Sequence, residues 1–224
     1  MLRNAVVYAG RGNSKSQQED CDMYLVDKTE PLDSRRTVIW LDGEAAFALY
    51  NGEMRRFHIE EGEKLTEEVY ETVMTEILPK RARERALYYL KSQARTEREV
   101  WSKLRQGMYP DSIVQETVLF LKRYHYIDDA EYARNYIETA GCRKSRREIE
   151  QRLRTKGIER EIIREIFAET APPAEETLKR ILKKRHYSAD ATEEETRKTI
   201  GYLMRRGFGY EEIRRAMVEM HNDA

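Results

Sequence analysis

Glycine recurs at 107, 157 and 207, and each time it closes the same local pattern. An apolar residue follows directly (Met108, Ile158, Phe208), and an isoleucine stands six positions on (Ile113, Ile163, Ile213). Upstream, Val100 with Leu104 and Ile149 with Leu153 keep the i, i+4 spacing of a helix, while Ile200 with Leu203 is one residue out of step. Downstream, Val114-Thr117-Val118-Leu121, Ile162-Ile166-Phe167 and Ile213-Met217-Met220 each form an apolar helical face. A further helix precedes each pair, over 86–92, 130–139 and 175–184. A supersecondary unit repeated in this way buries its apolar face against its neighbours. The predicted fold is therefore mainly α, with three tandem three-helix repeats stacked into an elongated array over 86–128, 129–172 and 173–224. The glycine ends the middle helix, because it alone enters the left-handed cap without a Cβ clash. The spacing of 50 overstates the regularity: the first unit has one residue fewer before its glycine, and Pro172-Pro173 separates the second unit from the third.

Residues 1–22 are expected to be a flexible segment, polar and aperiodic over 9–22. A small β segment follows over 23–65. Thr37 to Leu41 is β-branched and aromatic, Asp42-Gly43 is a hairpin turn pair, and Ala45 to Tyr50 is the return strand. Asn51-Gly52 reads as a second turn, with Met54 to Ile59 as a third strand. The period then changes to that of a helix over the connecting region 66–85. Thr66 is its expected N-cap, Val69, Val73 and Ile77 its buried stripe, and Pro79 its end or kink.

The net charge is zero, but it is unevenly spread. Residues 1–78 carry 9 Lys/Arg against 16 Asp/Glu, leaving 32 against 25 for the remainder. An acidic head and a basic body point to a partner with phosphates or acidic side chains. No run approaches the roughly 20 apolar residues of a membrane span, and the N-terminus lacks the apolar core of a secretory signal. Cys21 and Cys142 form no paired motif, so a reduced, cytoplasmic protein is expected. The histidines 58, 125, 186 and 221 show no metal-ligand spacing, and Gly10 to Lys15 is not placed between strand and helix as a phosphate loop would be. No catalytic residue, metal or cofactor is assigned.

The junction Tyr126-Ile127-Asp128-Asp129-Ala130-Glu131-Tyr132-Ala133-Arg134 resembles a signature of the RecX family of recombinase regulators, with Asp129 and Ala133 at its fixed positions. Ala86 to Leu90 resembles the opening of that family's first repeat. Ser145 to Ile149 and Leu153 to Ile158 resemble its second, although Ser145 stands where the family usually has glycine, at a loop that could meet a partner. Trp40 to Phe47 resembles the strand pair found before the repeats in some members. The resemblance implies a noncatalytic, monomeric regulator. It would bind the RecA recombinase filament on single-stranded DNA and inhibit its ATPase, strand-exchange and coprotease activities. The alternative is a helical module that binds DNA nonspecifically without RecA.

Asp128, Asp129 and Glu131 beside His125 suggest a metal site at first sight, but an aspartate capping the helix that follows accounts for them locally. The basic clusters are the candidate partner surface. They comprise Arg81 and Arg83 (with Lys80 and Arg85), Arg143, Lys144, Arg146 and Arg147, then Arg152, Arg154 and Lys156, and finally Lys183, Lys184 and Arg185 (with Lys179 and Arg180). Arginine and lysine there would make charge-assisted contacts with phosphate or carboxylate. A base-reading role for the helix after each glycine is disfavoured. Asp111, Glu159, Glu161, Glu211 and Glu212 crowd those first turns and repel phosphates, with Arg160 the exception. Tyr124, Tyr126, Tyr132 and Tyr136 crowd the first junction; their spacing favours inter-helix packing over stacking on bases. Trp101 is core or contact.

Overall fold

The computed structural model describes residues 23–170, 174–188 and 190–222, in two compact units divided between Val73 and Met74. The expectation of flexibility for 1–22, the Gly10 to Lys15 segment, Cys21 and the Pro172-Pro173 separator lie outside the described residues.

In the first unit, β1 (Met23–Pro31), β2 (Arg36–Leu41), β3 (Glu44–Tyr50) and β4 (Lys64–Thr66) form an antiparallel sheet in the order β3-β2-β1-β4. The Asp42-Gly43 hairpin forms as expected, with both residues at positive φ. Bulges interrupt the ladders at Val26/Lys28 and Ile39/Trp40. The third expected strand does not form. Asn51 to Phe57 is a short helix, α1, because the Glu53 carboxylate turns back to accept the Tyr50 N–H at 2.8 Å and closes a first helical turn. The strands that complete the sheet are β1 and β4 instead. Ile39, Phe47 and Leu49 are fully buried in this unit. The helix α2 (Glu67–Thr72) is capped by Thr66, whose hydroxyl accepts from Val69 N–H, and it packs Tyr70 on Tyr24 at 4.3 Å.

A π-helical turn, Val73–Ile77, precedes the helix α3 (Leu78–Leu90). The helix opened at Thr66 does give way ahead of Pro79, at Thr72 and through the π turn, and a new helix starts at Leu78. Pro79 lies in the first turn of α3, where a missing N–H has no intrahelical partner to lose. The second unit then runs α4 (Glu97–Arg105), α5 (Asp111–Arg123), α6 (Asp129–Gly141), α7 (Arg146–Thr155), α8 (Arg160–Thr170), α9 (Ala174–Lys184), α10 (Glu193–Arg205) and α11 (Tyr210–Asn222). The helices pack in threes: α3–α5, α6–α8 and α9–α11. Each triplet has its own core. Ala133, Ile137, Ile149, Leu153, Ile158 and Ile163 anchor the second, and Leu178, Leu182, Leu203, Phe208 and Ile213 the third.

The structure shifts the repeat alignment by one residue in the first helical repeat. Gly157 and Gly207 have φ of 93° and 91°, but the left-handed residue after α4 is Met108, at 59°, not Gly107. The backbone bonds agree. Ile158 and Phe208 donate to the carbonyls of Leu153 and Leu203, and in the first unit Tyr109 donates to Leu104. Tyr109 is thus the buried counterpart of Ile158 and Phe208. In the third unit the residue four before Leu203 is Thr199, which is buried; the middle-helix stripe keeps its i, i+4 period by accepting a threonine.

Candidate interaction surface

Consecutive units meet through the N-terminus of one middle helix and the turn that ends the next. Thr96 caps α4 and Ser145 caps α7, each in a reciprocal box with the glutamate three residues on. Each hydroxyl also donates to a carbonyl of the following unit: Thr96 to Lys156 at 2.7 Å and Ser145 to Arg206 at 2.5 Å. The capping glutamates reach the same residues, Glu99 to Lys156 at 2.5 Å and Glu148 to Arg206 at 3.4 Å. A Cβ at Gly157 would stand 2.3 Å from Arg98 Cδ and 2.4 Å from its Cβ, and one at Gly207 would meet Arg147 Cβ at 3.0 Å. The two glycines are therefore needed twice over, for a left-handed backbone and for close approach of the preceding unit. The corresponding left-handed position in the first repeat, Met108, carries a side chain.

The electrostatics of the first junction are unequal. Burial raises the Glu99 carboxyl, but the Lys156 ammonium, the Thr96 N–H and Arg95 outweigh it and hold its pKa below the usual value. The Glu99 carboxylate in turn raises Lys156. Asp129 moves the other way. Burial pushes its carboxyl up, with Glu97 and Asp128 adding repulsion, despite the Glu97 N–H that it accepts at 2.9 Å. The cap of α6 itself is Asp128, which accepts from Glu131 N–H at 2.9 Å. Asp129 instead satisfies the start of α4 in the unit before. Ala133, the other residue of the signature, is fully buried in the second core.

Between the second and third units lies an open cleft of about 1150 Å³. Its floor is apolar, with Ile149, Phe167 and Phe208. Lys144, Arg146, Arg147 and Arg154 line it, with Glu150 and Glu212 beside them. Arg146, Glu150 and Arg154 fall at i, i+4 and i+8 on α7, and they also line an adjoining cleft of about 280 Å³ with Arg160 and Arg164 of α8. Arg146 is partly committed, bonding Glu150 at 2.7 Å and standing over the Phe167 ring. Arg154, Arg147 and Arg160 are exposed and have no ion pair among the described residues.

The other basic candidates lie elsewhere. Arg152 lines a separate cleft with Tyr89 and Lys103 at the first junction, where Lys156 is held by Glu99. Arg81 and Arg83 are half-buried on α3, and Arg83 pairs with Glu116. Lys183, Lys184 and Arg185 are exposed at the end of α9, with Arg185 over the Tyr202 ring at 4.2 Å. Arg143 is exposed, and its carbonyl accepts from Arg206. Ser145, expected at a loop that meets a partner, is 1% exposed and spends its hydroxyl on Arg206. The sequence clusters omitted Arg160 and Arg164. Their i, i+4 spacing was the available signal, but only packing brings α8 beside the arginines of α7.

Three family descriptions match the three helical repeats in order: the first RecX three-helix domain over 82–121, the second over 128–166 and the third over 174–217. The chain belongs to the RecX family. The Regulatory protein RecX of Caldanaerobacter subterraneus subsp. tengcongensis is 30% identical over 182 residues, covering 80% of this chain and 90% of the relative. That of Clostridium acetobutylicum is 26% identical over 196 residues, covering 84% and 91%. Among solved structures, a crystal structure of regulatory protein RecX is 27% identical with a TM-score of 0.57, covering 90% of this chain and all of the other. RecX from Lactobacillus salivarius is 26% identical with a TM-score of 0.58, covering 64% and 96%. These relatives are named as regulators, in keeping with a set of RecX domains built around junctions and clefts. No helix among the described residues is long and apolar enough to cross a membrane.

Proposed function

We propose that this RecX protein binds the RecA recombinase filament on single-stranded DNA and inhibits its ATPase, strand-exchange and coprotease activities. It would act in the cytoplasm as a noncatalytic monomer. The observation that carries the reading is the cleft between the second and third units. Four cationic side chains, Lys144, Arg146, Arg147 and Arg154, line an apolar floor there, and Arg160 and Arg164 extend the charge along α8. Such a cleft suits an acidic segment that also offers an apolar side chain. Guanidinium groups supply bidentate pairing to carboxylates, and the floor supplies burial.

Titration of the protein into a RecA–ssDNA ATPase assay tests this directly. The expected result is a falling rate that Arg147→Glu with Arg154→Glu relieves. Unchanged rates at excess protein, together with no filament binding, would overturn it.

A further inference from the structure

Lys122-Arg123-Tyr124-His125-Tyr126, at the end of α5, is five exposed residues in a row. Tyr124 is 58% exposed and Tyr126 53%, yet neither ring hangs free. Tyr124 lies 4.8 Å from the Phe120 ring, and Tyr126 lies 6.5 Å from it with the planes within 22° of parallel. His125 explains how both tyrosines reach one phenylalanine. Its φ of 56° reverses the chain, and the Tyr126 N–H returns to the Leu121 carbonyl at 2.9 Å. The packing expected for the junction tyrosines holds for Tyr132 and Tyr136, which lie against the second core. It does not hold for Tyr124 and Tyr126, which present ring surface to solvent.

Cations surround this platform. The Arg83 guanidinium stands 5.0 Å over Phe120 while pairing with Glu116, and Arg123 stands 6.0 Å from the Tyr124 centroid. Lys122 is engaged by Glu97 at 2.8 Å, so Arg123 is the cation beside the rings with no ion pair among the described residues. Leu119, 59% exposed, is the one aliphatic side chain nearby on the same helix that is open to solvent. A protein helix docking here would find little aliphatic surface. A chain with a flat ring on every unit and an anion between units fits better: rings stack on rings, and the phosphodiester meets arginine.

We propose that Phe120, Tyr124, Tyr126 and Arg123 form a site for single-stranded nucleic acid, with the tyrosines stacking on bases and Arg123 meeting the backbone. The site lies on the first helical repeat, apart from the cleft assigned to RecA, and it works without RecA. It reads no sequence, because every base offers a π face.

The test uses the full-length protein with a labelled 20-nucleotide oligothymidylate and an abasic oligomer of the same length, without RecA. The wild type should bind the oligothymidylate and hold the abasic chain at least several-fold more weakly. Tyr124→Ala with Tyr126→Ala should lose about 5- to 100-fold in affinity for the oligothymidylate. Tyr124→Phe with Tyr126→Phe should restore it, and an unchanged melting temperature would show that the alanine variant still folds. Equal binding of the two oligomers, no binding by the wild type, or an alanine variant that binds as the wild type does would each overturn the proposal. So would an alanine variant that keeps DNA affinity but loses the RecA filament, which would make the platform a protein contact. Failure of RecA inhibition with DNA binding intact would sink the proposed function and leave this site standing.

Discussion

The hydroxyl of Thr96 donates a 2.7 Å hydrogen bond to the carbonyl of Lys156, 60 residues away in the next unit. The same oxygen accepts from Glu99 N–H, so one fully buried side chain caps its own helix and ties two units together. Ser145 repeats the arrangement with Arg206. Thr192, which caps α10 through Glu195, is exposed and makes no such inter-unit bond among the described residues. Removing these hydroxyls should therefore have unequal consequences. Thr192→Ala should cost about 1 kcal/mol, the usual loss of a cap. Thr96→Val should cost about 2–4 kcal/mol, because it also strands a buried carbonyl. Urea melts of the two variants would decide it, and equal losses would show that the junction bond contributes nothing.

The Glu99–Lys156 pair sets a pH dependence. Glu99 has its folded pKa depressed below 4.5, so the stability it contributes is present above that value and is lost as pH falls through the folded pKa. Lys156 is raised above 10.5, so its contribution is complete below that value and is lost only in strong alkali. In the window between about pH 5 and 10 the pair is intact. Glu99→Gln should destabilise the protein most at neutral pH, by about 1–3 kcal/mol, with the deficit shrinking toward pH 3. A deficit of constant size from pH 7 to pH 3 would rule out this origin.

Asp129 carries the opposite sign. Its raised folded pKa means that the ionised carboxylate is disfavoured where it sits, even while it accepts from Glu97 N–H. Its favourable linkage lies at low pH and is lost as pH rises through the folded pKa. Asp129→Asn keeps an acceptor oxygen and removes repulsion from Glu97 and Asp128, so at pH 7 it should be neutral or slightly stabilising. Asp129→Ala should cost about 1–3 kcal/mol, because the α4 terminus loses its acceptor. Thermal melts of both variants check the ordering; the asparagine variant melting below the alanine one would refute it.

How far the sequence reveals this molecule depends on whether the deciding contact is local. The triplet of helices is legible because Val100/Leu104 and Ile149/Leu153 show their period without a partner. The Thr66 cap is legible for the same reason. Asn51-Gly52 misleads because a turn pair and a helix start share residue types, and only Glu53 reaching back to Tyr50 separates them. Strand β1 is hard to see because most of its side chains face solvent, with Val26 its only fully buried residue. In the candidate site the arginines of α7 are visible as a cluster. Their junction with Arg160 and Arg164 is not, since it depends on how α8 packs on α7. Tyr124 and Tyr126 are misread for a similar reason: helical spacing places them near Phe120 without showing which ring surface stays open.

Gly107 illustrates the same limit. In sequence it is the natural partner of Gly157 and Gly207, yet Met108 takes the left-handed position in its unit. A left-handed non-glycine residue costs about 1–2 kcal/mol locally, against about 0.5–1 kcal/mol of extra chain entropy that glycine loses on folding. Met108→Gly should therefore leave stability within about 1 kcal/mol of the wild type, with the relief of backbone strain offset by the chain entropy and the methionine packing lost. Gly157→Ala faces both obstacles at once, a φ of 93° and the Arg98 side chain 2.3 Å from the new methyl. The clash involves Arg98 Cβ as well as its distal atoms, so rotating the arginine away does not relieve it. The junction must open, at a cost of about 2–4 kcal/mol. Chemical denaturation of the two variants side by side measures the contrast. A Gly157→Ala protein as stable as Met108→Gly would mean that the units do not press on each other through this glycine.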